Sequence, residues 1–212
     1  VTIICTLVIY QQLLLLQNAD LGYDKEYVIE FSPNLFAGDW QENYKKFHLF
    51  EKELQTIPAF EAVAPITGSS MLDVQGEYGS DNYHWEGKDT TSEIGVAGFN
   101  ANEKLLDIFD LEMVAGRWFS DKLETDENAI IFNETAVRLL KIDDPIGKKI
   151  QAHGGEVTII GVVKDYHYMS PKESIQPLRI MYTNRWTSTI LGKVNAQSIP
   201  LALASAEQKF KA

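Results

Sequence analysis

Asp165 and His167 are the two side chains whose spacing most directly suggests chemistry in this sequence. They stand two residues apart at the end of a strongly apolar run, and side chains two apart on a strand project from the same face. A carboxylate and an imidazole placed in this way can bind a divalent metal ion. Protein metal sites normally use three or four ligands, however, and no third ligand is adjacent in the sequence. The pattern therefore predicts no metal site, and Tyr166 and Tyr168 are expected to pack at a strand edge.

A glycine–lysine pair within residues 144–149 (DPIGKK) suggests a phosphate-binding loop. Such a loop needs a glycine five residues before the glycine–lysine pair and a hydroxyl residue directly after it. Ile142 and Lys149 occupy these two positions, so the motif is not met. Residues 144–147 carry the signals of a tight turn instead, and the lysines are expected in solvent.

No nucleophile or acid–base pair stands out from its context. Cys5, the single cysteine, lies in the apolar start of the chain, and no serine sits in a Gly-x-Ser-x-Gly elbow. His48 is expected on a helix outside its apolar stripe, and His153 in an exposed hairpin turn. His84 neighbours Trp85, which fits an aromatic contact for a sugar or peptide or, preferably, packing in a core. The sequence predicts no catalytic residue, no bound cofactor and no enzymatic activity.

Composition and charge are those of a globular protein without a nucleic-acid partner. Hydrophobic residues make up 45% of the 212 residues and charged residues 23%, which is enough apolar sequence for a core. The formal net charge of -11 argues against nucleic acid, because a phosphate backbone binds a basic surface. Residues 1–140 carry a balance of -15 and residues 141–212 one of +4. We interpret this as two solvated faces; the alternative is an acidic surface for a basic partner or cargo.

The first ten residues are apolar apart from two threonines, and they suggest a membrane anchor. A spanning helix needs roughly 20 such residues, and the basic start and cleavage site of a signal peptide are missing. Burial in the protein's own interior is the alternative. We predict that residues 1–22 are the end of a transmembrane helix that continues as a stalk and stops at Gly22. Its polar residues mark the exit from the bilayer and form a candidate force-relay stalk: Gln11, Gln12, Gln17, Asn18 and Asp20.

The two ends of the soluble part have complementary patterns. A strand, a helix and a strand are predicted at 27–31, 39–57 and 60–66, and a strand, a strand and a helix at 177–182, 189–194 and 198–210. Asp39 is expected to cap the first helix, Pro58 to end it, and Ser198 to cap the last helix. Together these elements make one α+β unit.

The region between the two ends is predicted to have a different arrangement of elements. It is predicted to hold short antiparallel strands in 67–95, a short helix after 100–103, a strand at 129–132, a helix capped by Asn133, and a buried central strand at 157–163. The simplest arrangement is an α+β fold in which this mainly-β region is inserted into the first unit.

Six segments resemble, in order, the MacB-like periplasmic core domain of FtsX/MacB-type ABC-transporter permeases. They are residues 20–25 (DLGYDK), 111–120 (LEMVAGRWFS), 130–136 (IIFNETA), 144–148 (DPIGK), 159–167 (IIGVVKDYH) and 174–178 (SIQPL). Each motif is weak alone, but six in the right order are specific, and they span nearly the whole chain. Pro171, Lys172 and the glycine-rich loop at 152–156 depart from the family pattern.

The resemblance implies a fold and a setting. The fold is a porter-like α+β subdomain formed by 23–67 and 175–212, with 68–174 inserted as a mainly-β, sabre-like subdomain. The setting is a permease with membrane helices on both sides of this domain and a separate cytoplasmic subunit that uses ATP. In relatives, closure of the ATPase moves the membrane helices, and a stalk passes that motion to the periplasmic domains. The family has no catalytic residues here, so none carry over.

We therefore expect a periplasmic domain of an inner-membrane ABC transporter that transmits ATP-driven motion or handles cargo of the peptide, drug or lipoprotein class. The expected partners are the ATPase, a second permease subunit in a dimer, and the bilayer through the N-terminal helix, with no nucleic acid. One alternative is a sensory or ligand-binding module, which needs a pocket. Another is a surface hydrolase, which needs a convergent cluster of titratable groups in a cleft.

Overall fold

The computed structural model describes residues 21–24, 26–32, 39–67, 83–84, 94–152, 155–168, 173–183 and 188–211. Residues 1–20 of the predicted membrane stub lie outside these ranges, including its stalk residues Gln11, Gln12, Gln17, Asn18 and Asp20. Most of 67–95 lies outside them as well. Within the described ranges, no helix combines the length and the hydropathy of a membrane span.

The described residues form four α-helices and nine strands. The strands are β1 (Val28–Phe31), β2 (Phe60–Ile66), β3 (Ala97–Ala101), β4 (Met113–Gly116), β5 (Ala129–Asn133), β6 (Lys149–Ala152), β7 (Gly155–Val163), β8 (Leu178–Tyr182) and β9 (Thr189–Val194). The helices are α1 (Trp40–Gln55), α2 (Leu105–Phe109), α3 (Glu134–Leu140) and α4 (Ile199–Lys211). Short 3₁₀ helices precede β5 at Glu124–Asn128 and α4 at Ala196–Ser198.

One mixed sheet contains all nine strands, in the order β1-β9-β2-β3-β8-β5-β7-β4, with β6 paired to β7. β9 is antiparallel to both β1 and β2. β8 is parallel to β3 and antiparallel to β5, and β5 is parallel to β7. β8, predicted to belong to the porter-like subdomain, therefore pairs on both sides with strands of the predicted insertion. The division at residue 175 stays a prediction.

The pairing between β2 and β3 is much shorter than the others. A single pair of residues, Ile66 and Ala101, joins the two strands in the ladder. The boundary is extended by Thr67, whose amide donates to the Asn100 carbonyl at 3.0 Å and whose Oγ1 accepts from the Asn100 amide at 2.8 Å. We call this contact the β2–β3 boundary. It connects the β1-β9-β2 part of the sheet to the remaining strands.

Alternating residues send their side chains into cores on opposite faces of the sheet, as the two-residue period of a strand requires. On β5, Ile131 packs into one core with α2, while Ile130 and Phe132 pack into another with α3. A third core lies under α1 and α4, against β9 and β2. Helices therefore cover the sheet on both faces, and the predicted α+β class is confirmed.

Two predicted helix caps are present, and in each the side chain accepts a hydrogen bond from an amide in the first turn of its helix. The Asp39 carboxylate accepts from the Glu42 amide at 2.9 Å, and the Asn133 side chain accepts from the Ala136 amide at 2.8 Å. At the predicted cap Ser198, the amide donates to the Asn195 side chain at 2.9 Å, and Asn195 caps the 3₁₀ helix that leads into α4.

Candidate functional site

Residues 21–24, which we call the docked segment, lie against the end of β7 and the loop that follows α2. The His167 amide donates to the Leu21 carbonyl at 2.8 Å, and the Asp24 amide donates to the Phe109 carbonyl at 2.9 Å. Both ends of the segment are thus held by backbone hydrogen bonds to residues more than 80 positions away in sequence. This segment directly follows the predicted stalk, which makes it the candidate site for passing motion into the domain.

Gly22 lets the segment closely approach Asp165 and Tyr166, which follow β7. Its φ is +78°, and a Cβ at this position would lie 3.2 Å from the Asp165 carbonyl oxygen and from Cα and Cβ of Tyr166. A residue with a Cβ would have a strained backbone at this φ, and its Cβ would be crowded at these distances. The positive φ is the one that a glycine adopts after a helix, but the preceding residues lie outside the described ranges, so the helix stop at Gly22 stays a prediction.

The docked segment packs against other aromatic rings through Tyr23. The ring of Tyr23 meets Phe109 edge-on with centroids 5.4 Å apart and Tyr166 with centroids 5.6 Å apart, and Tyr166 meets Tyr168 at 5.9 Å. We call these four residues the tyrosine cluster. Burial raises the pKa of Tyr23 to about 12 and the pKa of Tyr166 well above its ordinary value. Tyr166 and Tyr168 lie in a core, so the prediction that they pack at a strand edge is wrong.

Asp24 ties the same segment to the other part of the sheet. Its carboxylate accepts from Nζ of Lys193, on β9, at 2.6 Å, and this hydrogen bond lowers the pKa of Asp24. The Lys193 side chain is only 14% exposed, whereas the Asp24 side chain is 45% exposed. The docked segment therefore contacts β9 on one side of the β2–β3 boundary and Tyr166, which follows β7, on the other.

A cleft of about 600 Å³ adjoins the docked segment. Residues of the segment line it together with Asp110, Glu112, Lys164, Asp165, His167 and Ile175. Lys164 pairs with Glu112 at 2.7 Å at the exposed rim. Asp165 accepts from the Thr135 hydroxyl at 2.6 Å and from the Thr135 amide at 2.9 Å, so both carboxylate oxygens bind the start of α3. Among the described residues, no group of three or more His, Cys, Asp or Glu side chains is arranged to hold a metal ion.

Other residues singled out in the sequence lie apart from this site. Lys148 donates to the Asp143 carbonyl at 2.7 Å, as expected for a turn with solvated lysines. His48 is half-buried on α1, with Nδ1 3.0 Å from the Glu51 carboxylate. His84 is exposed and pairs through its backbone with Gln151. Cys5, Trp85 and His153 lie outside the described ranges.

An ion pair to a buried carboxylate, which the sequence did not reveal, fixes residues 116–120. Nη1 and Nη2 of Arg117 donate to the two carboxylate oxygens of Asp126 at 2.7 and 2.6 Å, and the Ser120 amide donates to the same carboxylate at 2.8 Å. Asp126 is fully buried. Arg117 lies in one of the family-like motifs, but nothing in the acidic stretch after it distinguishes Asp126 from its neighbours.

Comparisons with known protein sequences and structures agree with the fold. The sequence profile described as "MacB-like periplasmic core domain" matches residues 3–208. The periplasmic region of MacB from Actinobacillus actinomycetemcomitans is similar in structure, with a TM-score of 0.60, 15% identity, and coverage of 90% of this chain and 85% of that chain. The extracellular domain of the noncanonic ABC-type transporter YknZ from Gram-positive bacteria has a TM-score of 0.56 and 17% identity, covering 76% of this chain and 80% of that chain. No curated protein sequence matches significantly.

Proposed function

The chain belongs to the family of MacB-like periplasmic core domains, and from this premise we propose that it relays ATP-driven motion across the membrane. The family makes it an extracytoplasmic domain of a MacB/FtsX-like ABC-transporter permease. In the proposed mechanism, a separate cytoplasmic ATPase subunit supplies the motion. The domain itself binds no cofactor and catalyses no reaction.

The contacts of the docked segment on both sides of the β2–β3 boundary carry this proposal. Displacement of residues 21–24 would pull on β9 through Asp24 and Lys193. It would also move the tyrosine cluster through the ring of Tyr23 and the Asp24–Phe109 backbone bond. Among the described residues one ladder pair joins β2 to β3, so few backbone hydrogen bonds there resist a relative movement of the two parts of the sheet, which share one hydrophobic core. A short displacement of the docked segment would therefore act on both parts of the sheet at the same time.

The proposed setting follows from the family. Residues 1–22 would end a membrane helix and act as the stalk, with Gln11, Gln12, Gln17, Asn18 and Asp20 facing water above the bilayer. A second permease subunit would complete a dimer in the inner membrane, with this domain in the periplasm. The cargo proposed for such a relay is of the peptide, drug or lipoprotein class, handled outside the bilayer. Nucleic acid is not among the proposed partners, given the net charge of -11.

The relay can be tested by following the two parts of the domain in the complete transporter. Cys5 is replaced by serine, and labels are placed at the exposed positions Lys122 and Gln208 to measure a nucleotide-dependent distance change. We expect Tyr23→Ala to abolish that change, because the aromatic contact with the core is lost. Tyr27→Ala is the matched control, since Tyr27 lies four residues further on and is 44% exposed. A full distance change in Tyr23→Ala would refute the relay.

The cleft favours a second candidate function, a periplasmic sensory or ligand-binding module that regulates a partner system. Its volume of about 600 Å³ falls within the range of small-molecule sites. A ligand that binds only the folded state raises the melting temperature in a concentration-dependent way. Screening small molecules against the complete protein by thermal shift tests this candidate. Substitution of Glu112, an exposed residue that lines the cleft, should reduce the rise in melting temperature caused by a ligand that binds there.

A further inference from the structure

His48 and Glu51 form a hydrogen-bonded pair on the face of α1 that packs against the sheet. Nδ1 of His48 lies 3.0 Å from Oε2 of Glu51, and Nε2 of Gln55 donates to Oε1 of Glu51 at 3.2 Å. Glu51 is 8% exposed, and its neighbours along the helix face, Phe47 and Leu54, belong to the core under α1 and α4. Nε2 of His48 is also buried and has no hydrogen-bond partner within the part of the chain that the structure describes. A carboxyl and an imidazole are thus coupled in a place that water reaches poorly.

The charges around this pair come from several elements. Burial raises the pKa of Glu51, His48 and Lys52 on the same helix lower it, and the negative charge of Glu103, in the loop after β3, raises it again. The net direction is upward, because a carboxyl removed from water favours its neutral form. On α4, which also packs against α1, Lys209 binds a different carboxylate of α1. Glu61, the charged residue of β2, is exposed.

Glu51 and Glu103 lie on opposite sides of the β2–β3 boundary. Because α1 shares its core with β2 and β9, Glu51 belongs to the β1-β9-β2 part of the sheet. Glu103 follows Ala101, the residue of β3 that pairs with Ile66, by two positions, and its carboxylate lies 3.5 Å from the Tyr182 hydroxyl on β8. The repulsion between the two carboxylates therefore acts across the boundary, and partial exclusion of water strengthens it.

We propose that the His48–Glu51 pair is a proton-binding site that tightens the β2–β3 boundary in acid. With a neutral imidazole the pair carries a charge of about -1 and repels Glu103. One bound proton makes the pair neutral, whichever of the two groups holds it, and the repulsion across the boundary ends. The inference goes beyond the proposed relay, because it makes the connection between the two parts of the sheet respond to acidity on the extracytoplasmic side.

The sign of the effect follows from the direction of the pKa shift. The folded-state pKa of Glu51 is raised, so the folded chain binds this proton more readily than the unfolded chain does. Stability is therefore gained as the pH falls through the raised value toward the unfolded value of about 4.3.

Amide hydrogen exchange at a series of pH values tests the site in the complete protein without nucleotide. The Thr67 amide donates to the Asn100 carbonyl at 3.0 Å, so its protection reports closure of the boundary. We expect its protection factor, which corrects for the pH dependence of intrinsic exchange, to rise severalfold between about pH 7 and 4.5. Glu103→Gln should abolish this rise, because the pair then has no charge to repel. Asp107→Asn, which removes an exposed carboxylate from α2, is the matched control and should keep the rise.

A double variant, His48→Gln with Glu51→Gln, removes the charge from the other side of the boundary and should show no rise either. The Ile131 amide, in the central strand β5, reports whether each variant is folded, and Glu103→Gln decides alone if the double variant is not. A constant protection factor in the wild type would overturn the proposal, and so would a rise that persists in Glu103→Gln or in a folded double variant. The measurement uses neither nucleotide nor ATPase, so the proton site can fail while the relay passes its distance test, and the relay can fail while the proton site is confirmed.

Discussion

At the scale of single residues, the domain depends on a few charges whose partners are distant in sequence or buried. Asp126 is the clearest case, because it is fully buried and three donors point at its carboxylate. Burial alone raises the pKa of Asp126, but the hydrogen bonds from Arg117 and from the Ser120 amide bring it below its ordinary value. The carboxylate is thus held in its charged form by its surroundings.

Arg117→Ala should be strongly destabilising. The substitution removes two of the donors to the buried Asp126 carboxylate. Because the Arg117 side chain is 43% exposed, water replaces part of the loss, and we expect a cost of about 2 kcal/mol. The comparison is Lys149→Ala, which removes an ion pair with Glu156 that is exposed on both sides and should cost under about 1 kcal/mol. Urea denaturation of both variants measures the difference. Equal losses would show that the burial of Asp126 contributes nothing.

The ion pair between Asp24 and Lys193 should give the docked segment a pH dependence with a defined sign. The hydrogen bond from Lys193 lowers the folded-state pKa of Asp24 from 3.8. The stability from this pair is therefore fully present above the unfolded pKa of about 3.9 and is lost as the pH falls through the lower folded value. We expect the difference in unfolding free energy between the wild type and Asp24→Asn to be constant between about pH 5 and 7 and to shrink below about pH 4.

Urea titrations of the two proteins at a series of pH values measure this difference directly. Other carboxylates also titrate over the same range, but they are common to both proteins and cancel in the subtraction. A difference that grows toward low pH would contradict the assignment of the ion pair.

At the scale of elements, the docked segment illustrates how close backbone approach depends on glycine. Gly22 and Gly147 have nearly the same positive φ, +78° and +82°. A Cβ on Gly147 meets nothing within 4 Å, whereas a Cβ on Gly22 meets the backbone of Asp165 and Tyr166 at 3.2 Å. The two glycines therefore separate the conformational cost of a side chain from its steric cost.

Gly147→Ala should cost about 1 kcal/mol, the cost of a left-handed conformation for a residue with a Cβ. Gly22→Ala should cost more, and it alone should accelerate exchange of the Asp24 amide, because the added Cβ pushes the docked segment away from Asp165 and Tyr166. Denaturation and amide exchange on both variants test the two statements. Identical behaviour of the two variants would mean that the close approach at Gly22 has no energetic weight.

The sequence predicts the elements that are determined locally. The caps at Asp39 and Asn133 were predictable because each side chain contacts an amide three residues away. The strands around 60–66 and 189–194 were predictable because apolar residues dominate both segments, interrupted by Glu61 in the first and by Gly192 and Lys193 in the second. Strand β3 was not predicted: it contains Gly98 and Asn100 among small residues, yet it lies at the centre of the sheet.

The candidate site could be predicted only in part. The sequence directed attention to the segment after the apolar start, and Gly22 stood out as a residue with a special backbone role. The contacts of Tyr23 with Phe109 and Tyr166 join residues far apart in the chain, so no local pattern indicates them. The same reason explains the error on Tyr166 and Tyr168, since both follow β7 and no local pattern shows that the docked segment and α2 pack against them.

At the scale of the whole molecule, the β2–β3 boundary is the shortest pairing between neighbouring strands among the residues that the structure describes. Besides the Ile66–Ala101 pair, two bonds between Thr67 and Asn100 extend it. Thr67→Val removes the side-chain acceptor while keeping the volume, and we expect a loss of about 1 kcal/mol with faster exchange of the Asn100 amide.

Thr56→Val provides the matched control for this boundary. It removes an exposed hydroxyl that donates to the Glu53 carbonyl at 2.7 Å at the end of α1. Water replaces that bond at little cost, so the change in unfolding free energy should be smaller. If the free energy of unfolding falls by the same amount in both valine variants, the Thr67 hydrogen bond contributes no more stability than a hydrogen bond at an exposed helix end.

The strand order also has a consequence for biosynthesis. β8 and β9 are the last of the nine described strands to leave the ribosome, yet β8 sits between β3 and β5 and β9 between β1 and β2. Until residues 178–194 have emerged, the nascent chain carries gaps in its sheet, lined by strand edges that any other extended chain can join. We expect the domain to complete its fold late and to need shielding by a chaperone on the far side of the membrane while it waits.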